Sequence, residues 1–371
     1  MGRLRPINVV LTAAGAPGAS TCIRFLRGIK ERTVRVIGVD SNEECIGRFL
    51  CDAFASVPAS SSQHYIDALL EATRNHRADC LVVSSTAEVE YVAPHVHRFE
   101  EQGVRVLVSS PKALSVANNK RKLYELFADH EVVKVPGFRV VTTLEEFVRG
   151  CKEMGYPEKR LCFKPPHSKG SRGFRYLSET VDRADLLLNF KPDSKIITIE
   201  EMQEIFRGKA HFPELLLMET VEGEEIDSMV LCLEGDALLI THKTRETERG
   251  GVITLGEHVD RPEIDSAIKT ILASVPLSFN IGVQFKGGHL MEINPRLSTF
   301  LYTEEWVEPY FAIKLALGEY TKDEVRALQA RVPKSLRMIR YFDQYFFESG
   351  GGRDVCSPAL GRMTATARGD F

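Results

Sequence analysis

No Cys-x-x-Cys pair occurs among the eight cysteines of this 371-residue sequence, and their spacing follows no pattern. That excludes a zinc ribbon or a disulfide framework. Thiols flanked by apolar residues, such as Cys80 before Leu81-Val82-Val83 and Cys232 between Leu231 and Leu233, behave as small buried hydrophobes of a reducing cytoplasm. No apolar run reaches the roughly 20 residues of a membrane span. Neither charge sign dominates: the net is −3, dispersed, without the basic stripe that nucleic acid or an anionic membrane surface requires. His95 and His97 stand two apart, which on a helix turns them to different sides and excludes a metal pair there. Arg3 and Arg5 precede an apolar stretch, but Asn8 and Gly15-Ala16-Pro17-Gly18 interrupt it. A strand, turn and helix are therefore expected in place of a signal peptide. Internal repeats are absent.

What remains is ordinary globular composition, 43% hydrophobic and 27% charged, in a chain long enough for two or three domains. Over the first ~110 residues strand and helix patterns alternate. Strands are expected at 7–11, 34–40, 80–84 and 104–108, and helices at 21–29, 62–76 and 89–102. That order predicts a Rossmann-like parallel sheet covered on both faces, because parallel strands need crossover helices. Gly15-x-x-Gly18 lacks the third glycine of a dinucleotide loop, although Asp40 stands where a ribose-binding acid would. A nicotinamide-dependent oxidoreductase is accordingly the minor alternative.

After Ser109-Ser110-Pro111 the texture changes to an α+β pattern. Helices are expected at 114–129, 143–154, with Thr142 or Thr143 as N-cap, and 303–317. Strands are expected at 161–164, 215–218, 228–233, 237–244, 283–285, 290–293 and 336–347, and a mobile tail at 349–371. The expected organisation is an N-terminal domain over 1–112, a two-lobed domain over 113–325 with a lid at about 135–220, and a terminal strand and tail over 326–371.

Three stretches carry chemistry. In Gln284-Phe285-Lys286-Gly287-Gly288-His289-Leu290-Met291-Glu292-Ile293-Asn294-Pro295-Arg296, alternation sets Glu292, Asn294 and Arg296 on one face of a strand. A three-residue hairpin loop would place Gln284 across from Glu292; a two-residue Gly-Gly turn would place it opposite Met291. Oxygen donors of this kind suit Mg²⁺, which is held largely through substrate phosphates. Second, Lys164 ends a strand ahead of His167-Ser168-Lys169-Gly170-Ser171-Arg172-Gly173. A lysine on a rigid base can reach phosphates, and a Gly/Ser loop can approach them closely. Third, Leu215-Leu216-Leu217-Met218-Glu219-Thr220-Val221-Glu222-Gly223-Glu224-Glu225 is an apolar strand running into an acidic turn, able to offer backbone groups to a purine and a carboxylate to a ribose.

Taken in order, these segments resemble the ATP-grasp superfamily, above all ligases like the carbamoyl-phosphate synthase large subunit, over about residues 7–320. The resemblance implies ATP with two Mg²⁺ ions, Mn²⁺ being the alternative. It implies a carboxylate activated as an acyl phosphate for attack by an amine, both substrates small and amino-acid-like, in a cytoplasmic enzyme open to homo-oligomer formation. By the same resemblance Lys120 and Lys164 hold the phosphates, and the loop carrying Ser168, Gly170, Ser171 and Gly173 is the lid over them. Glu219, Thr220 and Val221 are the adenine hinge, and Glu225 is the ribose acid. Gln284, Glu292 and Asn294 are metal ligands, and Arg296 faces the acyl phosphate. Arg245 and Arg249, in a charged loop, are candidates for a substrate carboxylate or phosphate, and Ser298 is a further substrate candidate. Gln284 replaces a more usual carboxylate, the hairpin is tighter than usual, and Pro166 stands where relatives often carry a basic residue. Carboxyphosphate chemistry is an alternative, disfavoured because one grasp unit and no ammonia-supplying segment are visible.

Overall fold

The computed structural model describes residues 4–167, 172–189, 195–249, 251–298, 301–347 and 354–356. Its first sheet is parallel, with β1 (Ile7–Leu11), β2 (Val34–Asp40), β3 (Ala53–Ser56), β4 (Cys80–Val82) and β5 (Arg105–Leu107) in the order β3-β2-β1-β4-β5. Alternation along β1 sends Val9 and Leu11 into one core with Cys22, Ile23 and Leu26, and Val10 into another with Leu69 and Val89. This is the covered parallel sheet that the strand and helix order implies, with one strand more than expected. The extra strand, β3, is a short edge of half-exposed Ala-Phe-Ala-Ser without an apolar pattern to announce it. The helix expected over 89–102 is broken: Thr86–Val92 and Val96–Glu100 flank a tight turn at Ala93–His95, because Pro94 has no N–H to continue the ladder.

A second break has more consequence. The helix expected over 114–129 is two, Pro111–Ala117 and Lys120–Phe127, and the Asn119 side chain caps the second by accepting from the Lys122 N–H at 3.1 Å. The cap puts Lys120 in the first turn of a new helix.

The second sheet joins β6 (Phe138–Val141), β7 (Leu161–Lys164), β8 (Arg175–Leu177), β9 (Ile196–Ile197) and β10 (Leu215–Glu219) in the order β6-β10-β7-β8-β9. Phe147, from a helix that Thr143 and Glu146 close with a capping box, packs there against Phe163 and Leu217. The third sheet is antiparallel: β11 (Glu225–Leu233), β12 (Asp236–Thr244), β13 (Thr247–Arg249), β14 (Val252–Val259), β15 (Phe279–Lys286) and β16 (His289–Asn294) run in the order β13-β14-β12-β11-β15-β16, with β17 (Arg337–Ile339) beside β14. A helix that the sequence reading passed over, Pro262–Ser274, covers one face of this sheet with Ile264, Ala267, Ile268, Ile271 and Leu272.

The helix expected at 303–317 is shorter, Glu308–Ala316. The expected terminal strand is two: β17, and β18 (Phe346–Phe347), which pairs with β19 (Asp354–Cys356) inside the expected mobile tail. Residues 357–371 of that tail lie outside the described residues. Among the described residues no helix is long and apolar enough to cross a membrane. The described cysteines are free thiols, with Cys80 and Cys232 fully buried.

Candidate functional site

The β15–β16 hairpin organises the site, and it reaches the expected geometry by an unexpected route. Gly287 and Gly288, at φ +50° and +78°, form a two-residue turn that pairs Lys286 with His289. Simple alternation would then set Gln284 opposite Met291. A β-bulge intervenes: Phe285 pairs with Leu290 and Gln284 with Glu292, leaving Met291 as the extra residue. On the same face Asn294 lies across from Gly282, Asp227 lies between Gln284 and Lys243, and Glu225 lies opposite Lys286.

Two lysines meet this face from other elements. Lys120 Nζ lies 3.1 Å from Glu292 Oε2. Lys164, at the end of β7, donates to Tyr124 Oη at 3.4 Å, and the Tyr124 hydroxyl in turn donates to the Met291 carbonyl at 2.7 Å. Burial lowers the pKa of Lys164 to about 8, assisted by the charge of Lys120. Burial also opposes ionisation of Glu292, but Lys120 and Lys164 outweigh it and hold the carboxyl below its usual range. Asn294 Nδ2 donates to Glu292 Oε1 and Gln284 Nε2 to Glu225 Oε1, each at 3.1 Å, so the amide oxygens are the atoms left for a cation. Arg296 bridges to the first sheet's side: its Nε donates to Thr86 Oγ1 at 2.9 Å, and burial lowers its pKa.

These groups share one cavity of about 610 Å³. Of the residues singled out in the sequence, Lys120, Lys164, Glu225, Arg245, Gln284, Glu292, Asn294, Arg296 and Ser298 line it. Glu219, Thr220, Val221, Gly173 and Arg249 do not. Glu219 instead accepts from the Gly137 N–H at 2.8 Å, and the Thr220 N–H donates to the Arg160 carbonyl at 2.9 Å. The acidic turn after Val221 touches the hairpin, because the Gly287 N–H donates to the Glu224 carbonyl at 3.0 Å. Arg249 lies over the Phe342 ring at 4.9 Å. Ser168, Gly170 and Ser171 lie outside the described residues.

Arg245 faces three carboxylates: Glu225 at 2.7 Å, Glu248 at 2.6 Å and Asp227 at 3.5 Å. Burial works against its charge, but the three acids prevail and raise its pKa. Asp227, Lys286 and Glu248 line the cavity and were passed over in the sequence. The available signal was charge at strand period inside apolar strands, as in Glu225-Ile226-Asp227 and Lys243-Thr244-Arg245. Asp40, in contrast, accepts from the Gly15 and Asn42 N–H groups at 2.9 Å each, which commits it to its own loop.

Among the described residues no cluster of three or more His, Cys, Asp or Glu could hold a metal alone. One carboxylate flanked by two amide oxygens fits instead a hard cation that takes most of its ligands from a phosphate chain.

Comparison with known proteins bears on the family and the fold. The family described as ATP-grasp in the biosynthetic pathway with Ter operon matches residues 211–336, and a PylC-like N-terminal domain matches residues 10–107. The chain carries an ATP-grasp domain. The carbamoyl phosphate synthase large chain of Clostridium acetobutylicum is 20% identical over 321 residues, 83% of this chain and 28% of that protein. The phosphoribosylamine–glycine ligase of Caldanaerobacter subterraneus subsp. tengcongensis is 24% identical over 226 residues, 60% of this chain and 52% of that one. The chain spans about a quarter to a half of the length of the curated relatives it matches. Among solved structures, the biotin carboxylase domain dimer of Hydrogenobacter thermophilus 2-oxoglutarate carboxylase, in complex with MgADP, ADP and bicarbonate, has a TM-score of 0.59 at 17% identity, covering 85% of this chain and 70% of that one. It shares the ATP-grasp fold: a parallel N-terminal sheet followed by the antiparallel sheet that carries the hairpin.

Proposed function

We propose that the protein is an ATP-dependent carboxylate–amine ligase, producing ADP and phosphate and forming a C–N bond. The observation that carries this reading is the convergence of Lys120, Lys164 and Glu292, from three separate elements, on one cavity. A substrate carboxylate and a triphosphate repel each other, so they meet only where fixed cations neutralise the field. Lys120 and Lys164 supply those cations from buried positions, where charge is worth more than in water. Gln284, Glu292 and Asn294 would hold Mg²⁺, which supplies charge neutralisation along the phosphate chain. Glu225, which lines the cavity, serves the ribose. Arg296 steadies the acyl phosphate and the oxyanion formed when the amine attacks. The substrates are small and amino-acid-like, and the free thiols suit a reducing cytoplasm.

Carboxyphosphate formation is a second reading, favoured by the bicarbonate bound in the Hydrogenobacter relative. A phosphate-release screen over carboxylate–amine pairs with Mg²⁺-ATP, with bicarbonate among the acids, tests both. Release should depend on one acid and one amine together. A protein that binds ATP yet releases phosphate with no pair would end the ligase reading, and release driven by bicarbonate alone would select the second.

A further inference from the structure

The cavity has two unlike halves, and the difference specifies a substrate class. Every charged side chain lining it belongs to Lys120 or to a residue after it. The lining contributed by the first sheet's domain, from Leu11 to Ala87, contains no charged residue. That wall is built from the ends of β1 and β4 and the turns that follow them: Ala13, Ala16, Pro17, Ser84, Ser85 and Ala87 are among its members. Each of its hydroxyls makes a bond within the protein. Ser84 donates to the Thr12 carbonyl, Ser85 accepts from the Ala87 N–H, and Thr86 accepts from Arg296. The amides of the Gly15–Ala19 turn are also engaged in part, with Ala16 N–H on the Ala13 carbonyl and Ala19 N–H on the Ala16 carbonyl.

Val252, Ile253, Leu297 and Ser298 extend the uncharged lining. Leu297 packs into the same apolar core as Leu11 and Cys22, which shows that the two surfaces adjoin. Arg340 bonds the Pro17 and Ile253 carbonyls, at 2.7 and 3.1 Å, but does not line the cavity. The cation at the border of this compartment is Arg296, tied to Thr86.

A second anion placed in such a compartment loses water and meets hydroxyls and main-chain donors but, among the described lining residues there, no cationic side chain other than Arg296, whereas an uncharged body loses little. We propose that the activated substrate is a carboxylate whose body beyond the reacting group is uncharged. It lies against the neutral wall with its carboxylate at Arg296. This rests on the ligase reading and narrows it: monocarboxylates with no second charged group fit, and dicarboxylates or phosphorylated carboxylates do not.

Hydroxylamine provides a test that needs no knowledge of the natural amine. The acid's oxygen attacks the γ-phosphorus as the bond to ADP breaks. Hydroxylamine nitrogen then attacks the acyl carbon, phosphate leaves, a proton is released and a hydroxamate forms. The full chain with Mg²⁺-ATP and hydroxylamine should form hydroxamates from neutral-bodied acids with kcat/KM at least tenfold above matched dicarboxylates and phosphorylated carboxylates. Ala87→Lys, which adds a cation to the wall, should shift that ratio toward dicarboxylates by at least tenfold. A wild-type preference for a doubly anionic acid would overturn the inference and leave the ligase reading standing. An unchanged ratio in a folded Ala87→Lys protein would overturn the placement of the substrate on this wall. No hydroxamate from any acid, in a protein whose melting temperature rises with Mg²⁺-ATP, would overturn the ligase reading and the inference together.

Discussion

The two faces of the antiparallel sheet both bury polar groups, and only one of them is a site. On the face covered by the Pro262–Ser274 helix, Ser228 Oγ lies 2.8 Å from His242 Nδ1, and His242 Nε2 lies 2.9 Å from Asp265 Oδ1. These are the residue types of a hydrolytic triad, yet Ser228 is fully buried and the chain of bonds closes on itself. On the opposite face Glu292 bonds Lys120 and Asn294, Lys164 donates to Tyr124 and Gln284 donates to Glu225, and this network lines a cavity. Burial of charge alone does not mark function; a network of buried charge that lines a cavity is the better sign.

The largest effect should separate the faces outright. Glu292→Ala and Lys164→Ala should each reduce coupled ATP turnover by at least about a thousandfold, the scale at which phosphoryl transfer depends on fixed charge. Ser228→Ala should leave kcat within about twofold. Steady-state phosphate release with all three proteins, checked for folding by circular dichroism, would break the comparison if Ser228→Ala were the inactive one. Next comes the contact that couples the acidic turn to the hairpin. A Cβ at Gly287 would sit 2.1 Å from the Glu222 carbonyl oxygen at a φ of +50°. Gly287→Ala should therefore weaken ATP binding by about ten- to a hundredfold, as expected for a shift of about 1 Å at a positioning element. Gly288→Ala, with no heavy atom within 4 Å of the added carbon, should do less.

The pH dependence sharpens the same contrast. Lys164 loses its proton near pH 8 in the free protein, and a bound triphosphate favours the protonated form. Binding therefore takes up a proton above that pH, and affinity for ATP should fall as pH rises through about 8, by up to about tenfold per unit. Lys164→Arg, whose side chain stays charged, should flatten the profile in a titration by calorimetry. A wild-type affinity that held constant from pH 7 to pH 9.5 would remove Lys164 from the phosphate site.

Much of the charged face was legible before any coordinates. Glu292, Asn294 and Arg296 share a face because strands alternate, and Lys164 ends an apolar run that reads as a strand and is one. Gln284 opposite Glu292 was legible only as one of two registers. The structure takes the turn that predicts the other one and repairs it with a bulge at Met291, a local irregularity that periodicity cannot show. Lys120 came from likeness alone; the break at Asn119 that places it looks, in sequence, like one continuous helix. The closed face was less legible still. Ser228 and His242 are polar residues in apolar strands, and their partner Asp265 sits on a helix that the pattern reading missed.

That closed network yields the smallest and most diagnostic effect. The Asp265 carboxylate only accepts, so His242 Nε2–H donates to it and Nδ1 accepts from the Ser228 hydroxyl. Burial lowers the pKa of His242 even though Asp265 opposes the shift, so folding favours the neutral ring. The unfolded chain then binds a proton that the folded one refuses, and stability should decline as pH falls below about 6.5, the histidine's ordinary value. His242→Gln removes that titration and costs about 1–3 kcal/mol at pH 7.5 by leaving buried partners unpaired. Urea unfolding at pH 7.5 and 5.5 should show a smaller gap between mutant and wild type at the lower pH, with kcat at pH 7.5 within about twofold of wild type. A large loss of kcat in a His242→Gln protein of unchanged stability would mean that the two faces act together, and the distinction between a closed network and one that lines a cavity would fail for this sheet.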